Sequence, residues 1–147
     1  LKPIYAIGDV HGQFDMLADA LERIEDDAGP EARVVVLGDL VDRGPDSFGV
    51  IELLRLGIAE GRDWTVLRGN HDQMFLDFLA LGEVHHPRIV SGKSWLHPAL
   101  GGAETLASYG VRIDDGMGRR AICGAAREAV PDSHVDFLAN LPLVYET

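Results

Sequence analysis

A chain of 147 residues is long enough for one domain with a single core, and one domain spanning residues 1–147 is expected. Its 46% hydrophobic and 25% charged residues are ordinary globular values that speak against general disorder, while a formal net charge of −11 argues against nucleic acid as a partner. Cys123 is the single cysteine, so no internal disulfide is available, and it reads as a buried, inert thiol. No apolar run approaches the ~18 residues of a membrane span and no charged-then-apolar stretch reads as a leader, so no membrane partner is expected and the cytoplasm is the expected location.

Ile4-Tyr5-Ala6-Ile7 reads as a short strand ended by Gly8-Asp9-Val10-His11-Gly12. Phe14, Leu17, Leu21 and Ile24 then recur at helical spacing, and Gly29-Pro30 stops that helix. Arg33 to Leu37 is the second strand and runs into Gly38-Asp39-Leu40-Val41-Asp42-Arg43-Gly44. Phe48, Ile51, Leu54 and Ile58 mark a second helix. Trp64 to Leu67 is the third strand, followed by Arg68-Gly69-Asn70-His71-Asp72 and a helix carrying Met74, Phe75, Phe78 and Leu79.

After Leu81 the periodicity loosens. A loop region leads to a short helix between Gly101 and Tyr109, a turn at Gly116-Met117-Gly118, and a better helix over 131–141 capped by Asp132 or Ser133. Leu143-Val144-Tyr145 suggests one more strand, so the chain is expected to be incomplete at its C-terminus. Because it begins on Leu1, it is also expected to start after processing or after an omitted segment.

Three strand-helix units in succession imply an α/β fold whose parallel strands are joined by right-handed crossovers, with helices packed on the sheet. The polar clusters recur at intervals of roughly 30 residues, the length of one βαβ unit. Three polar loops should therefore meet at the carboxyl edge of one sheet, where open α/β sheets bind ligands. Helix lengths and loop sequences differ too much between units for a solenoid.

Asp9 and His11 lie one residue apart, so an extended segment would turn both side chains the same way. Asp39 and Asn70 add oxygens from the neighbouring loops. Such an oxygen and nitrogen set suits manganese, iron or zinc better than calcium. Asp39, on the middle loop, is placed to bridge two ions, and two ions about 3.5–4 Å apart serve phosphoryl displacement. Arg43 offers a planar fork for phosphate oxygens. His71 sits beside the cleft, where Asp42 can fix its tautomer, raise its pKa and make it a general acid. Asp72 suits a helix cap better than the cleft. Arg68 suits a supporting position or a strand-end charge equally.

The three blocks resemble, in order and spacing, the signature blocks of calcineurin-like metallophosphoesterases. More narrowly they are similar to the phosphoprotein phosphatase branch with its bacterial and phage members, and the stretch from Trp95 to Gly110 resembles bacterial serine/threonine phosphatases. The resemblance implies a layered metallophosphoesterase fold of which this chain supplies the N-terminal part. It implies one metal on Asp9, His11 and Asp39, and a second on Asp39 and Asn70, with manganese foremost. It also implies His71 as general acid oriented by Asp42, and Arg43 on the phosphate. In that family two further histidines, from beyond the segment similar to Leu141-Pro142-Leu143-Val144, complete the second metal site. His85, His86, His97 and His134 are expected to be exposed rather than ligands.

The leading expectation is a phosphatase acting on phosphoserine or phosphothreonine, with a phosphoprotein or small phosphoester as its substrate. A symmetrical diadenosine tetraphosphate hydrolase also resembles this chain in its first block and in ending the third block with aspartate. That family tends to lack an aspartate at the position of Asp42. A third reading is a truncated, inactive fragment that binds a metal or a partner.

Overall fold

The computed structural model describes residues 2–147. The elements are β1 (Ile4–Ile7), α1 (Phe14–Ala28), β2 (Arg33–Val36), α2 (Ser47–Ala59), β3 (Trp64–Val66), α3 (Asn70–Leu81), α4 (Gly102–Ser108), α5 (Arg119–Ala129) and α6 (Asp132–Ala139). The strands form one parallel sheet in the order β1-β2-β3. Pairing of Ile7 with Val36 and of Val36 with Val66 brings the three carboxyl ends level, so the loops that follow leave from one edge.

Local sequence accounts for most of these elements. β2 lies between its neighbours and buries Val34, Val35 and Val36, which is why it reads as a continuous apolar run and not an alternation. In α1, Leu17 and Leu21 face the core while Asp15, Asp19 and Glu22 face water, and the helix stops at Gly29, whose positive φ (84°) favours a residue without a Cβ. Asp46 starts α2 by accepting a 2.7 Å hydrogen bond from the Gly49 amide. In-order parallel strands with right-handed crossovers put α1 and α2 on one face, where they pack together.

The second half of the chain departs from expectation in four places. α5 was not predicted, because its buried face consists of Ile122, Cys123 and Ala126 and carries one large aliphatic residue. Cys123 is buried as expected, with its thiol donating to the Phe78 carbonyl at 3.3 Å. α6 begins after Pro131 without a side-chain cap, so neither Asp132 nor Ser133 serves as one. Leu143, Val144 and Tyr145 form no strand: an apolar triplet needs a neighbouring strand to satisfy its backbone, and among the described residues none pairs with it. No helix among the described residues is long and apolar enough to cross a membrane.

His134 is the sharpest difference. Expected to be exposed, it is 1% exposed. Its Nδ1 accepts from the Tyr109 hydroxyl at 2.7 Å and its Nε2 donates to Glu52 Oε1 at 3.2 Å, which uses both nitrogens of a neutral ring. Phe48 lies against the ring with centroids 4.9 Å apart. Burial pulls the pKa of His134 down, and the attraction of Glu52 only partly restores it, so it stays below the ordinary imidazole value.

A histidine with a lowered folded pKa contributes stability above its unfolded pKa and loses it as the pH falls, because the unfolded chain takes up the proton first. The melting temperature of the wild type should therefore fall relative to that of His134→Gln as the pH drops below about 6.5, whatever the other titrating groups shared by the two proteins contribute. Parallel thermal melts from pH 8 to pH 5 check this, and equal slopes for the two proteins would contradict it.

Candidate metal centre

The three polar loops are fastened to one another at the carboxyl edge of the sheet. The Asp39 carbonyl accepts the amides of Val10 (3.1 Å) and His11 (2.8 Å), and the Leu40 carbonyl accepts that of Gly12 (2.8 Å). The third loop joins through side chains: Asp39 Oδ1 accepts the His71 amide at 2.9 Å, and Asp72 Oδ1 accepts the Leu40 amide at 2.8 Å. Such close approach needs a residue without a Cβ at Gly69, since one built there would collide with the Asp39 carboxylate and amide. Gly44 meets the same limit against the His11 carbonyl.

The backbone of this edge is strained. His11 (φ 45°), Asp39 (φ 49°), Asp42 (φ 76°) and Arg43 (φ 74°) are the non-glycine residues with positive φ among the described residues, and all belong to the first two loops. Left-handed conformations at such residues persist only where the surroundings over-determine them. His11 thus sits in a turn and not in the extended segment that its spacing from Asp9 suggested, yet the two side chains still converge.

Asp9, His11 and Asp39 each offer one ligand atom, and these atoms lie within 4.8 Å of one another. His11 Nε2 is 3.9 Å from Asp9 Oδ2. The other ring nitrogen settles the tautomer. His11 Nδ1 is 2.8 Å from the Val41 carbonyl, which can only accept, so the proton sits on Nδ1 and Nε2 presents a lone pair to the carboxylates. Two carboxylates and an imidazole lone pair turned toward a common point suit a divalent cation of borderline hardness. The end of the Asn70 amide is 3.3 Å from both Asp39 oxygens. With nitrogen inward it donates to them; with oxygen inward, the three oxygens face each other as ligands of a shared cation do.

His71 stands beside this group, its ring edge-on to that of His11 with centroids 4.8 Å apart. Its Nδ1 is 2.7 Å from Asp42 Oδ2, and Asp42 is fully buried. Burial of His71 lowers its pKa, but the hydrogen bond to Asp42 and the charges of Asp42 and Asp39 outweigh that and hold it above the ordinary imidazole value. Arg43 is exposed, with its Nε donating to the Ala99 carbonyl at 3.3 Å. The geometry therefore brings Asp9, His11, Asp39, Asn70, His71 and Asp42 together, with Arg43 on the rim.

Other polar residues find structural partners. Asp72 lies at the third position of α3 and accepts the Gly69 amide at 2.8 Å as well as that of Leu40, so it caps the helix and also ties two loops. Burial pushes its carboxyl up to about 7, against the lowering pull of the two amides. Arg68 Nη1 donates to the Ala139 carbonyl at 2.7 Å and closes the end of α6. His86 pairs with Asp77 at 2.8 Å, and His97 Nδ1 accepts the Ala99 amide at 3.0 Å.

Two residues at the centre lie in the stretch from Trp95 to Gly110 noted from sequence, but the sequence assigned them no role beside Asp42. Trp95 Nε1 and the Thr105 hydroxyl donate to the two oxygens of Asp42, each at 2.8 Å. A lone tryptophan in a polar loop and a threonine inside a short helix carry no local sign of these contacts. The signal lies in sequence separations of 53 and 63 residues.

Asp72→Ala removes the acceptor for two amides at once, and its destabilisation should be about 2 kcal/mol or more. Asp19→Ala, which removes an exposed ion pair with Arg23, should stay within about 0.5 kcal/mol. Urea denaturation of the two variants separates these outcomes.

Comparison with known proteins places the chain in one family and fold. The family model for calcineurin-like phosphoesterases matches residues 2–138. Serine/threonine-protein phosphatase 1 of Salmonella typhimurium (strain LT2) is 45% identical over 77 residues, which make up 52% of this chain and 32% of that protein. A symmetrical bis(5'-nucleosyl)-tetraphosphatase of Janthinobacterium sp. (strain Marseille) is 40% identical over 77 residues, 52% of this chain and 26% of that protein. The chain thus spans about a third or less of the length of these relatives. A solved structure described as a "putative diadenosine tetraphosphatase" has the same fold, with a TM-score of 0.55 at 23% identity over 95% of this chain and 42% of the other. From a family match over nearly its whole length and loops that converge on one sheet edge, the chain belongs to the calcineurin-like phosphoesterases.

Proposed function

We propose that this chain carries the metal-binding and proton-donating edge of a serine/threonine protein phosphatase that hydrolyses phosphomonoesters. The observation that carries this reading is the buried pair of His71 and Asp42, 2.7 Å apart, beside the Asp9, His11 and Asp39 cluster. A serine or threonine alkoxide is a strongly basic leaving group and needs a proton as the phosphorus–oxygen bond breaks. A nucleotide phosphate is a far weaker base and leaves without one. An imidazole whose pKa a buried carboxylate raises therefore suits a phosphomonoester of an alcohol.

Asp9, His11 and Asp39 would hold one divalent cation, and Asp39 with Asn70 a second, with manganese the first candidate and iron or zinc the others. When bound, such ions lower the pKa of a water and neutralise the phosphoryl oxygens. Arg43 swings from the Ala99 carbonyl onto the phosphate and orients it, while His71 passes its Nε2 proton to the departing oxygen. Asp42 keeps the Nδ1 proton in place. A second reading, symmetrical dinucleoside tetraphosphate hydrolysis, is supported by the tetraphosphatase relatives at 40–45% identity.

Asp39→Asn weakens both cation positions, so Mn²⁺ affinity by calorimetry should fall and turnover should drop more than for any other ligand. His71→Asn should leave Mn²⁺ binding intact and lower kcat by about 10²–10⁴-fold. A phosphoserine peptide and diadenosine tetraphosphate assayed side by side decide between the two substrates. Faster turnover of the peptide is expected, and exclusive turnover of the dinucleotide would establish the second reading instead.

A further inference from the structure

The geometry points to Trp95 and Thr105 as positioning residues that hold the Asp42 carboxylate in the orientation His71 needs to act as an acid. The inference rests on the general-acid reading of His71 and goes beyond it, since neither residue belongs to the three polar loops.

Three donors inside the protein hold both oxygens of the Asp42 carboxylate. Oδ2 receives His71 Nδ1 at 2.7 Å and Trp95 Nε1 at 2.8 Å, and Oδ1 receives the Thr105 hydroxyl at 2.8 Å. Thr105 is bound in turn. Its oxygen accepts the Asp42 amide at 2.8 Å and lies 3.3 Å from Ser47 Oγ. A hydroxyl has one proton and two lone pairs, so with its proton on Oδ1 and one lone pair on the Asp42 amide, the contact with Ser47 is donated by Ser47. Thr105 thus grips Asp42 at both ends, fixing a residue whose backbone is left-handed (φ 76°) together with its side chain.

Trp95 is equally constrained. Its indole N–H can only donate, and the ring is fully buried between Phe75 (centroids 5.8 Å apart) and Phe78 (4.9 Å). The Trp95 amide donates to the Val84 carbonyl at 2.6 Å, and the Trp95 carbonyl accepts from Gly102 at 3.0 Å, so the ring position is set by the backbone on both sides. A buried carboxylate lacking these two donors is free to turn about its terminal torsion and leave the line to Nδ1. With them, Oδ2 points at His71, the Nδ1 proton stays on that line, and Nε2 is the nitrogen left to face the substrate.

The test uses the full chain loaded with Mn²⁺ and two aryl phosphates that differ in the basicity of the leaving group. Phenyl phosphate needs a proton donor, whereas 2,4-dinitrophenyl phosphate does not. Thr105→Val and Trp95→Phe should each lower kcat on phenyl phosphate roughly tenfold or more at unchanged KM, and change kcat on the dinitrophenyl ester less than about threefold. Thr105→Ser, which retains the hydroxyl, should restore the wild-type ratio. In the metal-free protein, the downfield proton resonance of His71 Nδ1 should be present in the wild type and in Thr105→Ser and absent from the other two variants.

Equal losses on both esters, or full activity of Thr105→Val on phenyl phosphate, would overturn the inference. The reading beneath it is tested separately by His71→Asn. If that variant shows no dependence on the leaving group, the acid role of His71 falls, and the support given to Asp42 falls with it.

Discussion

Asp39 binds both neighbouring loops at once, through its carbonyl to the amides of Val10 and His11 and through Oδ1 to the amide of His71. It does so from a left-handed backbone, as do His11, Asp42 and Arg43. At about 1–3 kcal/mol for each sparsely populated conformation, four such residues oppose folding by an amount comparable to the net stability of a small domain. The strain is tolerable because hydrogen bonds tie the loops to one another and they rest on a sheet whose central strand buries Val34, Val35 and Val36. Relaxing Asp39 to an ordinary strand conformation would part the three loops and scatter the donors they carry.

Support for the site extends outward from this edge in successive shells of contacts. Asp42 is held by Trp95 and Thr105, and Thr105 reaches Ser47 at the start of α2. Ser108, one turn further along α4, accepts the Phe48 amide at 3.1 Å. Tyr109 then connects to His134 on α6 and, through it, to Glu52 on α2. Asp42, Ser47, Thr105 and His134 are polar groups buried in an apolar core, where leaving a partner unmade costs more than the bond gains. The arrangement is therefore specific as well as stable. α2, α4 and α6 can each take only the position at which these side chains meet.

The sequence disclosed the parts of this design that are local. A short apolar run followed within a few residues by Gly, Asp and His marks a strand delivering polar groups to a sheet edge, and three such runs at equal intervals fix their convergence. The helices after each run were legible because their buried faces carry Leu, Ile, Phe and Met at helical spacing. α5 was not, because Cys123 and Ala126 contribute too little apolar contrast. Trp95 and His134 escaped for a different reason. Each is defined by partners dozens of residues away, and a pattern read along the chain assigns such residues to loops or to the polar side of a helix. Leu143 to Tyr145 misled in the opposite sense, having strand-like composition without a strand to pair with.

The same ring nitrogen serves two ends in His11 and His71, and the difference lies only in what faces it. His11 Nδ1 donates to the neutral Val41 carbonyl, so Nε2 is the nitrogen turned toward the carboxylates. His71 Nδ1 meets the buried carboxylate of Asp42, which stabilises the doubly protonated ring and leaves a proton on Nε2 to give away. The rings stand edge to face, 4.8 Å apart. On the proposed reading, the choice between a backbone carbonyl and a carboxylate at one hydrogen-bond position makes one histidine a ligand and its neighbour an acid.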